Sequence, residues 1–170
     1  DDKYYYGRRP IGIYIPRHRN LWDKPERDYL RGFHYGGGAS RTGWQRAIPE
    51  MGFGQDFKEE TTEPGPWTMG LGSFGEHLPE YKNRAFLDRT KKDKWGLPLL
   101  AVDCEFGENE RKMRIDMKND AAEILEAAGM KDIQAFDRPA IPGMAIHEMG
   151  TARMGHDPKT SVLNKWNQMH

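Results

Sequence analysis

At 170 residues the chain has room for one ordinary domain and too little for two comfortable ones. Its 26 basic and 26 acidic residues cancel, which excludes the one-signed footprint of a nucleic-acid or membrane-surface binder. No apolar run approaches the ~20 residues of a spanning helix, and a lone cysteine, Cys104, excludes a disulfide framework.

In chain order, Ile11, Ile13 and Ile15 alternate with Gly12 and Tyr14 and stop at Pro16, which predicts a strand over 11–15. Tyr29, Arg31, Phe33 and Tyr35 predict a second over 29–35, ending in a turn at Gly36-Gly37-Gly38. Residues 43–63 read as short helical turns and loop, split by Pro49 and Gly52. Further strands fit 67–74, 84–87 and 99–106, with Cys104 a small buried hydrophobe on the last. Between the latter two, DRTKKDKWGLP reads as a surface hairpin loop with a solvated charge run.

The period then changes. Over 108–128, Met113, Met117, Ile124 and Ala128 fall on one helical face with Ala121 and Leu125 beside them, and Gly129 is the natural stop. A sixth short strand fits 132–136. Strands joined by short turns, with the helices gathered together, predict an α+β fold: a largely antiparallel six-stranded sheet with helices on one face. Only 36% of the residues are hydrophobic, with 19 glycines and 11 prolines, yet five Trp, seven Tyr and seven Phe argue against disorder. That combination reads as a loop-rich piece of something larger.

GLGSFG at 70–75 matches the dinucleotide fingerprint G-x-G-x-x-G in letters. The fingerprint must open a helix that receives a pyrophosphate, whereas EHLPEYKNR follows here, so a glycine-dotted strand is the better reading. His147, His156 and Asp157, with His77 and Glu76, lack any metal-ligand spacing, and no metal is expected. His18 and His34 fall on predicted strands, and His156-Asp157-Pro158 reads as a turn in which Asp157 caps local amides.

What these readings leave unexplained is IHEMGTARMGHDP at 146–158, an imidazole set among small and flexible residues. The run His147-x-x-Gly150-Thr151-x-Arg153-Met154-Gly155 resembles the C-terminal signature of the glucose-methanol-choline (GMC) flavoenzymes. DPKTSVLNKWNQMH, and GEHLPEYKNRAFLDRTKKDKWGLP upstream, resemble the bacterial branch of that family containing the large subunits of gluconate and fructose dehydrogenases. The three matches keep their order across 75–170, while the first 74 residues resemble the family's substrate domain only loosely.

The resemblance implies alcohol or sugar oxidation on FAD. It makes His147 the base that takes a hydroxyl proton, a task suited to a side chain whose unperturbed pKa is about 6.5. It places Gly150 and Thr151 beside the cofactor, with Arg153 and Met154 supporting their loop, and lets Trp67 and Phe74 face a substrate. It further implies a substrate-binding domain over 1–144 and a return segment over 145–170 that leads into an FAD domain outside this chain. The partners expected are thus a small-molecule alcohol or sugar and that FAD domain, and this segment alone should neither hold FAD nor turn over. The competing reading is a non-catalytic small-molecule or protein-binding domain on the same fold. One cysteine suits cytoplasm and periplasm alike, so the compartment stays open.

Overall fold

The computed structural model describes residues 12–22, 26–41, 54–62, 65–144 and 147–170. Among them are five strands and two helices: β1 (Ile13–Ile15), β2 (Phe33–Arg41), α1 (Gln55–Thr62), β3 (Trp67–Gly75), β4 (Arg84–Lys92), β5 (Pro98–Asp103) and α2 (Glu108–Ala127). All pairings are antiparallel, in keeping with α+β, but the strands form two sheets: β1-β2-β3 and β4-β5. The expected single six-stranded sheet is not formed among the described residues. Residues 132–136 make no strand, and Asp132 sits at φ 55°, a left-handed kink that interrupts extended backbone. The chain divides into two compact units, Asp1–Glu76 with Lys112–Phe136, and His77–Arg111 with Asp137–His170.

In the first unit β2 begins later and runs farther than its sequence suggests. Arg31 at φ 70° keeps residues 29–31 out of the strand. Gly36, Gly37 and Gly38 lie inside β2, paired with Gly72, Leu71 and Gly70, rather than in a turn. The reason is close approach: a Cβ on Gly37 would land on the Gly70 carbonyl oxygen, and one on Gly12 would lie 2.9 Å from the Gly37 carbonyl oxygen. The expected 11–15 strand is present as β1, with Ile11 outside the described residues, as are 43–53 and 63 of the segment read as helical turns.

Alternation along β2 sends Phe33 and Tyr35 to one face of the three-stranded sheet, where Met113 and Met117 of α2 meet them. With Tyr29 these five form the buried core, and Ile15, Leu71, Ala121 and Ile124 pack around it. The stripe expected on α2 is therefore its packing face. Gly75 makes room for it, since a Cβ there would stand 2.8 Å from Met113 Sδ and nearer still to Met117 Cε. The helix ends as its sequence predicts: Gly129 at φ 81° donates to the Glu126 carbonyl and Met130 to that of Leu125, a Schellman closure.

Polar groups buried at this core are paired, except Arg19 Nε, which has no hydrogen-bond partner and faces Asp116 Oδ2 at 3.7 Å. Tyr35 donates to Asp120 Oδ2 and shares its hydroxyl with the Met117 carbonyl, both at 2.8 Å. Arg19 Nη2 reaches Asp120 Oδ1 at 2.5 Å, and His18 Nε2 lies 3.0 Å from Oδ2. His18 thus sits past the end of β1 on an aspartate rather than on a strand. Burial first, then the bond to Asp120, pushes the Tyr35 hydroxyl far above its ordinary range. Asn20, buried at φ 49°, ties the loop below by donating to the Tyr29 and Arg31 carbonyls at 2.9 Å and accepting the Glu26 amide at 2.8 Å.

The second unit is built on the β4–β5 hairpin. The expected strands at 84–87 and 99–106 are longer and shorter respectively, so β4 absorbs half of the polar segment and only Asp93–Leu97 turns. Asp93 Oδ1 accepts the Trp95 and Leu97 amides at 2.9 Å, and Gly96 takes φ 87°. Asn83 extends the hairpin by exchanging two bonds with the Glu105 backbone, each at 3.1 Å. Glu110 closes the start of α2. Its Oε2 accepts the Gly107 amide at 2.8 Å and its Oε1 the Leu78 amide at 3.0 Å.

Candidate functional site

The signature segment lies in the second unit and forms a compact coil without helix or strand. Several of its carbonyls and amides are satisfied from within. Gly155 donates to the Leu163 carbonyl at 2.8 Å, and Val162 and Leu163 both donate to the Arg153 carbonyl, at 3.1 and 2.9 Å. Asp157 organises the turn after His156. Its Oδ1 accepts the Lys159 amide at 2.9 Å, and its carbonyl accepts the Thr160 and Ser161 amides at 3.0 Å, which matches the turn expected at His156-Asp157-Pro158. Gly155 is obligatory for this packing, because a Cβ there would sit 2.7 Å from the Ser161 side chain.

Arg153 ties the two ends of the coil together. Nη1 donates to the Gly150 carbonyl at 3.0 Å and Nη2 to the Thr160 carbonyl at 3.1 Å. Gly150 stands at φ 103°, a conformation that favours glycine, and space is open where its Cβ would be. Thr151 is exposed, and neither its amide nor that of Ala152 makes a hydrogen bond among the described residues.

His147 precedes this coil, directly after Ala145 and Ile146, which lie outside the described residues. Its ring is exposed and forms no hydrogen bond or ion pair among the described residues. An imidazole nitrogen can serve as an acceptor, and no group among the described residues competes for it. Cys104, which follows β5 rather than lying on it, is half-buried. Burial, then the charges of Glu148, Asp103 and Glu105, push its thiol up, away from thiolate chemistry.

Trp67 and Phe74 belong to the first unit, at the two ends of β3. Seven positions apart on a regular strand, they fall on opposite faces of the sheet. Phe74 is on the face away from α2, stacked on His34 with ring centroids 5.2 Å apart and planes 10° apart, and Tyr14 adds a third ring 5.0 Å from His34. Trp67 pairs with Arg41, whose guanidinium carbon lies 5.9 Å from its ring centroid. GLGSFG runs inside β3, and residues 76–80 after it form no helix. No group of three or more His, Cys, Asp or Glu able to hold a metal exists among the described residues, and no helix there is long and apolar enough to cross a membrane.

Sequence reasoning missed the double hold of Arg153 and the pairing of Ser161 Oγ with His170 Nε2 at 3.0 Å. A side-chain bond to a carbonyl three or seven residues away, or to another side chain nine residues away, leaves no periodic trace in a sequence.

A coil that carries an exposed histidine ahead of a glycine turn, attached to an antiparallel α+β scaffold, defines a class of protein only when set beside its relatives. The family model for GMC oxidoreductase matches residues 79–170, more than half of the chain, and the chain belongs to that family. It is 42% identical over 98 residues to the 2-methyl-1,2-propanediol dehydrogenase of Mycolicibacterium austroafricanum, covering 56% of this chain and 17% of that protein. It is 31% identical over 105 residues to the fructose dehydrogenase large subunit of Gluconobacter japonicus, covering 59% and 18%. To the gluconate 2-dehydrogenase flavoprotein of Pantoea cypripedii it is 27% identical over 124 residues, covering 68% and 20%. The chain thus spans a fifth or less of the length of these relatives.

Proposed function

We propose that this chain is the substrate-binding part of an FAD-dependent oxidoreductase acting on a CH–OH group of an alcohol or sugar, with His147 as general base. The observation that carries the reading is His147 itself: an exposed imidazole with no partner among the described residues, within the stretch matched by the family model. Residues 1–144 would form the substrate-binding domain and 145–170 the return towards an FAD domain supplied by the rest of a longer polypeptide.

Two features support a flavin edge at the coil. Open space above Gly150 admits a flat ring, and the unbonded amides of Thr151 and Ala152 are donors for its acceptor atoms. When bound, FAD supplies the acceptor for the hydride that leaves the carbinol carbon. His147 contributes by accepting the hydroxyl proton at a ring nitrogen, which raises the electron density on the alcohol oxygen as the C–H bond weakens. On the first unit, Phe74 with His34 and Tyr14, and separately Trp67, offer apolar surface for a substrate's carbon skeleton. A small diol, a ketose and a sugar acid, the compounds in the relatives' names, are the donors to try first.

The test is direct. The full-length polypeptide carrying this segment, purified and made anaerobic, should show flavin absorbance that bleaches on addition of an alcohol or sugar. A full-length protein without flavin, or with flavin that no such donor bleaches, refutes the reading.

A further inference from the structure

From the hydrogen bonds of the coil we infer that Arg153 is a positioning residue: it fixes the Gly150–Thr151 peptide so that the Thr151 N–H is held out as a donor to the flavin. The inference rests on the function proposed above and adds a role that neither the family match nor the relatives' names assign. A trans peptide is planar, and none in the described chain is cis, so the C=O of Gly150 and the N–H of Thr151 point in opposite directions. The Gly150 oxygen is turned to Arg153 Nη1 at 3.0 Å. The Thr151 hydrogen is therefore turned away from the guanidinium, and it meets no acceptor among the described residues.

Glycine at φ 103° does not hold this plane by itself, since a residue without Cβ rotates freely. The guanidinium does, because it is anchored at its other end on the Thr160 carbonyl at 3.1 Å, in a turn locked by Asp157. The arginine's own carbonyl is fixed in turn by Val162 and Leu163. A planar fork that bridges two carbonyls is a task for arginine; lysine, a point charge on a flexible stem, grips one at a time. A donor fixed in advance costs no reorganisation when the acceptor gains charge, so it favours the electron-rich, reduced form of a ring bound on the coil.

The experiment uses the full-length holoenzyme and its Arg153→Ala and Arg153→Lys variants, read by flavin midpoint potential and by hydrogen exchange of residues 150–163. Arg153→Ala should lower the reduced-to-oxidised ratio at fixed potential about tenfold, a fall of about 30 mV for two electrons. Arg153→Lys should fall in between, and millimolar guanidinium should move the Ala variant back towards wild type. Exchange of the Gly155, Val162 and Leu163 amides should quicken in Arg153→Ala. An unchanged potential in Arg153→Ala, or a fall equal in both variants and insensitive to guanidinium, overturns the inference while leaving the proposed function standing. Wild-type protein without flavin refutes the proposed function instead; unchanged exchange in Arg153→Ala then overturns the positioning role independently.

Discussion

Replacing Asp120 by Ala tests whether the buried ion network holds the first unit together. Asp120 is 5% exposed and receives Arg19 at 2.5 Å, Tyr35 at 2.8 Å and His18 at 3.0 Å. Removing one member of a buried pair costs roughly 3–5 kcal/mol, because the partner's charge is left uncompensated. Two features place this site at the lower end. Tyr35 keeps the Met117 carbonyl as an acceptor, and Arg19 keeps Asp116 at 3.7 Å. The expected loss is about 3 kcal/mol for Asp120→Ala and about 1–2 kcal/mol for Asp120→Asn, which keeps the shape and one acceptor. Urea unfolding followed by circular dichroism measures both. As a control, Glu105→Ala, which breaks the exposed Lys82–Glu105 pair, should change nothing measurable. An Asp120→Ala variant as stable as that control would refute the claim that the network is structural.

Gly37→Ala should destabilise by about 1–3 kcal/mol, since its methyl meets backbone that cannot yield, whereas Gly38→Ala, with open space at its Cβ, should be neutral or slightly stabilising; thermal melts of the two variants decide it. Glu110 titrates below the ordinary glutamate range: burial pushes it up, but bonds from the Leu78 and other amides outweigh that. Its contribution is therefore present above the ordinary glutamate range and fades as pH falls through the lowered value. Glu110→Ala should cost about 2 kcal/mol at neutral pH and nothing in strong acid, read from urea midpoints across pH.

The sequence showed the helix and its stripe because a 3.6-residue period survives any tertiary context, and Gly129 marked the end by its φ alone. It misplaced β2, because three successive glycines signal a turn locally, while the real constraint, the backbone of β3 pressing on Gly37, is non-local. It expected one sheet where the described residues form two, since period-2 patterning identifies strands but not their neighbours. At the candidate site, the nine-residue signature singled out His147 as the candidate base. Arg153 was expected to support the loop, but which groups it grips was not legible, because Gly150 and Thr160 offer main-chain carbonyls that any residue supplies.

The central claim, that His147 removes a hydroxyl proton, is tested most directly by the rate at which substrate bleaches flavin in the full-length enzyme. His147→Ala should bind flavin almost as well as wild type, because the cofactor would be held chiefly outside this segment. The bleaching step should slow by about 10²–10⁴-fold, the worth of a positioned general base, with substrate affinity changed far less. Flavin reduction by His147→Ala at close to the wild-type rate would contradict the account and leave the histidine a structural residue.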